Sequence, residues 1–411
     1  MSKNNEFSAN NNRKDERSYK ELESDQHRAF IAVGRKKGEI DYVLLSVVIV
    51  LYGIGIIMVF SAGINEGMKY GQYYYFLKRQ AIWLLVSFLT LVFFIIIDYS
   101  VLEMMRKPLI WITIIMLALL FVPQFGRMGF VHPSRRWFRF GGIGFQPSEF
   151  AKIVLIVYLA SILSKKGDRI NDFYRGFLPP FLIISIIAFL IFLEPDFSAA
   201  FMLFFIAIMM FFVAGISTVS IVSLSIVSVP ALFLMINEKL YRKERIAGFL
   251  NPWSDPTDKG YQIIQSFKAF AMGGVSGVGL GRSVQKMSHL PIPHTDFIYA
   301  ICAEEMGYVG AFMILFLYMI FAYRGYRIAF QQSDRFAFFL AFGITSLIVW
   351  GAIFNIAVVT GLLPATGVSL PFLSYGGSSL LANSILAGVL ISISKNRSVR
   401  EYESEDMVWE Q

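Results

Sequence analysis

Long unbroken apolar runs recur along this chain, and a backbone buried in hydrocarbon must satisfy its own hydrogen bonds, so such runs can only fold as helices. A helical crossing takes about 20 residues, with about 17 to 25 usual. Candidate runs lie at 43–62, 80–97, 108–123, 150–163, 176–193, 197–214, 216–236, 297–323, 336–358 and 379–394. None has the alternating polarity of a barrel strand. Composition agrees, because 56% hydrophobic residues, 40 Phe and only 16% charged residues leave too little polar surface for a soluble chain of 411 residues. The expectation is an all-α, polytopic integral membrane protein of about ten transmembrane helices. The run at 150–163 is short and carries Lys152, and that at 176–193 holds Pro179 and Pro180 near its start, so both are expected to be irregular.

Residues 1–40 read as a solvated tail without a signal-peptide core, 41–394 as the membrane domain and 395–411 as a second tail. With the first tail inside, the inner segments carry 21 Lys and Arg against 15 outside, which places both termini in the cytoplasm. A large outer loop, 237–296, then joins the seventh and eighth runs. All the connections rich in Gly, Pro, charge and amide fall outside: 124–149, the Glu194-Pro195-Asp196 turn, 237–296 and 359–378. Plain inner loops and elaborate outer ones describe a scaffold with an outward-facing site.

Ionisable residues at membrane depth are functional candidates by default. Adjacent Arg135 and Arg136, followed by Trp137 in a short outer loop, suit an anionic ligand. Lys152 near Glu149 reads equally as a snorkelling ion pair. Asp196 reads as the cap of the helix starting at Phe197, with Glu194 left open, though two close carboxylates can also hold a divalent cation. Asp296 stands where the outer loop re-enters the membrane. Ala300, Ala303, Gly307 and Gly310 form a small-residue stripe beneath it, either for close helix approach or for ligand space, and a helix N-cap is the competing role for the carboxylate. Glu304 and Glu305, about 12 Å further in at 1.5 Å per residue, need partners, with Lys152, Arg245 and Lys268 as candidates for structural pairing. The Gly-rich run at 272–283 lacks the Gly-Lys-Ser/Thr ending and is not a nucleotide loop. No His-Glu-x-x-His zinc motif or Gly-x-Ser-x-Gly elbow occurs. Cys302, the single cysteine, reads as a buried small hydrophobe.

The segments RRWFRFGGIGFQPSEFAK (135–152), EPDFSAA (194–200), GYQIIQSFKAF (260–270), LPIPHTDFIYAICAEEMGYVG (290–310) and NIAVVTGLLPATGVSLPFLSYGGSSL (355–380) occur in this order. Together they closely resemble the SEDS family (shape, elongation, division and sporulation), from about residue 43 to 394. GLGRSVQK at 279–286 is more similar to the division and sporulation branches than to the elongation branch. The chain departs from the family pattern at Ile292, Glu194, Ser198 and Thr366, where Glu, Gln, Gly and in some members Lys are common.

The resemblance implies a peptidoglycan glycosyltransferase of the bacterial cytoplasmic membrane, at the division septum, polymerising lipid II into glycan strands. It implies Asp296 as the essential acid, and substrate contacts among Arg135, Arg136, Lys152, Glu194, Arg245, Gln265, His294, Ser374 and Ser378. It further implies a single-helix class B penicillin-binding transpeptidase and other division proteins as partners, no nucleic acid, no organic cofactor, and a divalent cation, Mg or Mn, as a candidate helper. The chemistry needs a base for a sugar 4-hydroxyl and positive charge for a departing pyrophosphate. A lipid II flippase is the competing reading; it requires a polar path through the bilayer. A purely structural role in gathering division proteins is a third.

Overall fold

The structure, a computed structural model, describes residues 39–122, 136–140, 143–166, 172–194, 196–217, 219, 240–258, 260–287, 290 and 293–395. Both tails, Arg135 and the apolar run at 220–236 lie outside the described residues.

The apolar runs fold into helices α1 (Tyr42–Met68), α2 (Tyr75–Ile96), α3 (Ser100–Leu119), α4 (Pro147–Lys166), α5 (Leu178–Leu193) and α6 (Phe197–Val213). After the long connection that carries α7 (Leu240–Leu250) and α8 (Tyr261–Gly273) come α9 (Ile298–Phe330), α10 (Arg335–Val359) and α11 (Gly377–Ser394). Among the described residues seven helices are long and apolar enough to cross a membrane, α5 being counted with the π-turn Phe173–Phe177 that leads into it. The shorter α6 is equally apolar, and α3 carries Glu103, Arg106 and Lys107 in its first two turns.

Polar residues set the helix starts. The Asp41 carboxylate accepts from the Leu44 amide at 3.0 Å to cap α1, and also takes the Arg324 guanidinium from the end of α9 at 2.7 Å. Asp196 caps α6 as expected, accepting from the Ala199 amide at 3.2 Å. The 150–163 run is not irregular: it lengthens to the regular 20-residue α4, because Pro147 occupies the first helical position, where its missing N–H costs nothing. Irregularity does occur before α5, as the π-turn ahead of Pro179 and Pro180. The all-α expectation also misses a small antiparallel hairpin, β1 (Phe138–Phe140) with β2 (Ile143–Phe145).

Among the described candidate spans α10 is the most buried, packed against α4, α9 and α11, while α2 keeps an apolar flank of Ile82, Leu85, Leu89 and Phe93 exposed. The small-residue stripe on α9 resolves as close approach. A side chain at Gly273 of α8 would lie 2.1 Å from the Ala303 carbonyl oxygen, so only glycine admits this contact. At Gly307 (φ +68°) α9 is broken, and the Gly-rich segment after α8 fills the gap in its hydrogen bonding. Tyr308 and Val309 donate to the carbonyls of Gly274 and Val275, while Val278 and Gly279 donate to those of Glu304 and Glu305.

That segment also supplies the partners of the two glutamates. Glu304 accepts from the Ser283 hydroxyl and from the Val284 and Gln285 amides. Glu305 accepts from the Ser61 hydroxyl, the Gly281 and Ser283 amides and the Lys286 ammonium, the last at 2.7 Å. Lys152, Arg245 and Lys268, the candidates from sequence, are not the partners of these carboxylates. The Gly-rich run is thus an anion cradle, but for the protein's own carboxylates.

Candidate functional site

Four regions distant in sequence meet at one end of the bundle. The β-hairpin hands Trp137 and Gln146 to the start of α4, the α5–α6 turn brings Asp196 and Ser198, the segment before α9 brings Asp296, and the α10–α11 connection brings Gly367 to Gly376. Together they line a cavity of about 180 Å³. Its outer wall is charged, with Glu149, Lys152, Asp196 and Asp296, while its inner end is apolar, with Met202, Leu347, Gly351 and Leu386.

Asp296 is not a helix cap. α9 begins at Ile298 with Phe297 in the cap position, and no side-chain cap bond forms. Its carboxylate instead faces the α10–α11 connection, where a side chain at Gly367 would stand 3.7 Å from Oδ2. Burial pushes this carboxyl up to about 6; Arg245 and Arg136 pull it down and Asp196 pushes it further up. Asp196 is raised as well, mainly by burial, against the opposing pull of Arg136. Lys152 is paired with Glu149 at 2.8 Å in the cavity wall. Gln146 ties the wall together, its side-chain amide donating to Asp196 Oδ2 and to the Ser148 hydroxyl.

The other sequence candidates sit behind or beside the cavity. Arg136 Nε donates to the Glu194 carbonyl oxygen at 3.0 Å. The Glu194 carboxylate is fully buried, accepts no hydrogen bond among the described residues and does not line the cavity, and burial raises it to about 9. Arg245 is exposed and donates to the Ala365 carbonyl at 3.3 Å. Gln265 is buried on α8, which packs against α9, and stands off the cavity lining. His294 is packed between the rings of Phe76, 4.1 Å away, and Tyr375, and burial lowers its pKa to about 4. Ser374 donates to the Thr295 carbonyl, and Ser378 joins the hairpin to α11 through Gln146 and Gly144. These residues shape the site without lining it. Sequence reasoning missed Gln146, Ser198, Ser369 and Asn383, all of which do line it. Their signal was position inside the quoted motifs or, for Asn383, one helical turn beyond Ser379.

The chain matches the cell cycle protein family model FtsW/RodA/SpoVE over residues 42–399. It is 41% identical over 355 residues to a probable peptidoglycan glycosyltransferase FtsW of Geobacter sp. strain M18, covering 86% of this chain and 96% of that one. It is 39% identical over 361 residues to the stage V sporulation protein E of Bacillus subtilis strain 168, covering 88% and 98%. A solved chain described for structural coordination of polymerization and crosslinking by a peptidoglycan synthase complex superposes with a TM-score of 0.70 at 26% identity, over 87% of this chain and 98% of that one. The rod shape determining protein RodA of Thermus thermophilus shares the fold at a TM-score of 0.63 and 23% identity, over 88% and 98%. By the extent of the family match and the identity to these relatives, the chain belongs to the FtsW/RodA/SpoVE family of cell cycle proteins.

Proposed function

We propose that this protein is a peptidoglycan glycosyltransferase that polymerises lipid II on the outer face of the bacterial cytoplasmic membrane during cell division, with ten spans and both termini in the cytoplasm. The observation that carries the reading is a buried carboxylate, Asp296, lining a cavity whose charged wall also contains Lys152, with burial raising its pKa to about 6. A base must be largely ionised at working pH yet basic enough to take a hydroxyl proton, and a pKa of about 6 meets both needs. In the proposed step Asp296 accepts the proton of the acceptor sugar 4-hydroxyl as its oxygen bonds to the donor anomeric carbon. The bond from that carbon to the lipid pyrophosphate breaks, and the pyrophosphate leaves with the electron pair. Lys152 in the wall and Arg136 and Arg245 behind it are the charges that oppose the developing anion.

The divalent cation implied by the family finds no group of three His, Cys, Asp or Glu side chains among the described residues, so no step is routed through it. A single-helix class B transpeptidase is the proposed partner. The exposed apolar flank of α9, with Val309, Phe312, Phe316 and Tyr323, is a suitable surface for its helix. The flippase reading requires polar groups along a path through the bilayer, whereas the inner end of this cavity is apolar.

Polymer formation from purified lipid II by the wild-type protein and Asp296→Asn, side by side, tests the proposal. Equal product from the two removes Asp296 from the chemistry. No product from wild type, with lipid II transport in vesicles, replaces the glycosyltransferase with the flippase.

A further inference from the structure

The segment that presents Asp296 is held in an unusual way. Three consecutive carbonyl oxygens each accept a hydrogen bond from the α10–α11 region: His294 from the Tyr375 amide at 2.9 Å, Thr295 from the Ser374 hydroxyl at 2.7 Å, and Asp296 from the Asn355 side-chain amide at 2.8 Å. Two of the three donors are side chains, so two of the three contacts depend on residue identity. Asn355, buried on α10, uses its second N–H on the Val368 carbonyl at 2.7 Å, while its Oδ1 accepts nothing among the described residues. The Ser374 hydroxyl in turn accepts from the Leu370 amide at 2.8 Å. Val368 and Asp296 both line the cavity. One amide on a membrane-spanning helix therefore joins the two outer connections that form the cavity rim.

We propose that Asn355 and Ser374 are positioning residues for the reaction, fixing the Asp296 carboxylate over the cavity by clamping the backbone carbonyls of Thr295 and Asp296 to the α10–α11 connection. Neither side chain lines the cavity, so neither contacts substrate there. The proposal rests on Asp296 being the general base. Clamped carbonyls leave the Asp296 side chain only its own torsions to vary, so the carboxylate waits in place for the acceptor hydroxyl. Released carbonyls let the segment drift by a fraction of its length and let water reach the carboxylate.

The experiment compares wild type, Asn355→Ala, Ser374→Ala, Ser374→Thr and Asp296→Asn in lipid II polymerisation, reading kcat, KM, the pH–rate profile and the melting temperature. Misplacement of a reacting group by about 1 Å costs on the order of 100-fold, so kcat should fall about 10- to 100-fold in each alanine variant, with KM within about twofold of wild type. The acid limb of the profile should move to lower pH in the same two variants, because a hydrated Asp296 returns towards the ordinary carboxylate range. Ser374→Thr keeps a hydroxyl donor and should recover most of the rate. A residue that only stabilises a turn would lower the melting temperature and leave kcat per folded molecule and the acid limb unmoved. That result in Ser374→Ala, with Asp296→Asn inactive, overturns the positioning role while the base survives. If Asn355→Ala does not fold, Ser374→Ala and its threonine rescue decide alone. Full polymerisation by Asp296→Asn overturns both the base and its clamp.

Discussion

Lys286 and Glu305 form an ion pair, Nζ to Oε1 2.7 Å, in which neither side chain is more than 2% exposed. The pair fastens the Gly-rich segment to the second turn of α9, and the Ser61 hydroxyl of α1 bonds both of its members. Removing one member of such a pair leaves a buried charge without compensation and typically costs about 3–5 kcal/mol. Lys286→Met should therefore destabilise the protein strongly. The double variant Lys286→Met with Glu305→Gln should recover part of that loss, because the stranded charge goes with its partner. Thermal unfolding of wild type, Lys286→Met, Glu305→Gln and the double variant in one detergent checks this, and additive losses would show that the two groups do not act as a pair.

The base assignment has a pH signature. With its carboxyl raised to about 6, Asp296 is protonated and inert as a base below that pH, so polymerisation should fall on the acid side with a limb near 6. Asp296→Asn should lower the rate by about 100-fold to 10,000-fold. Its melting temperature should stay near that of wild type, since the side chain caps no helix. A flat rate from pH 5 to 8 in the wild-type protein contradicts the assignment.

Glu194 offers a stability test separate from catalysis. Its folded pKa of about 9 lies above the unfolded value of 4.5. The folded state thus holds an extra proton between those two values, and its stability declines as pH rises through that window. Glu194→Gln removes the titration. It should flatten the pH dependence of the melting temperature between pH 5 and 9 and leave polymerisation at pH 7 near wild type, since the side chain there is neutral in either protein. An unchanged slope in the variant would place the titration elsewhere.

Lys152 and Glu149 can be separated by paired substitutions. If Lys152 opposes the charge of the leaving pyrophosphate, Lys152→Ala should reduce kcat, whereas Glu149→Gln leaves the ammonium in place and should retain most activity. Loss of one charge-assisted contact in the transition state is expected to cost about 10²-fold to 10³-fold, comparable with losing an oxyanion donor. Equal loss in both variants, with lowered melting temperatures, would make the pair a structural strut of the cavity wall.

The existence and order of most of the apolar runs were legible in the chain, because a helix is the available way to bury a backbone in lipid, but their ends were not: α3, α4 and α9 each begin or finish well away from the run that announced them. The Asp196 cap was legible too, since a cap depends on neighbours within three residues. Motif order marked Asp296 and the surrounding segments. What the chain alone did not decide was which residues meet across the bundle. A lipid-facing flank is as apolar as a packed one, so periodicity does not say which side of a helix its neighbours cover. For that reason the partners of Glu304 and Glu305 were sought among distant cations, whereas all but Ser61 lie in a Gly-rich segment 19 to 24 residues upstream that folds back through positive-φ glycines onto the break in α9. Likewise Asp296 looked like a cap from its position, and only the packing of the α10–α11 connection against it turned its carboxylate to the cavity and its carbonyl to Asn355. Local hydrogen bonding is written in neighbouring residues; burial of charge, and with it the pKa of a base, arises only when segments far apart in sequence exclude water from one another.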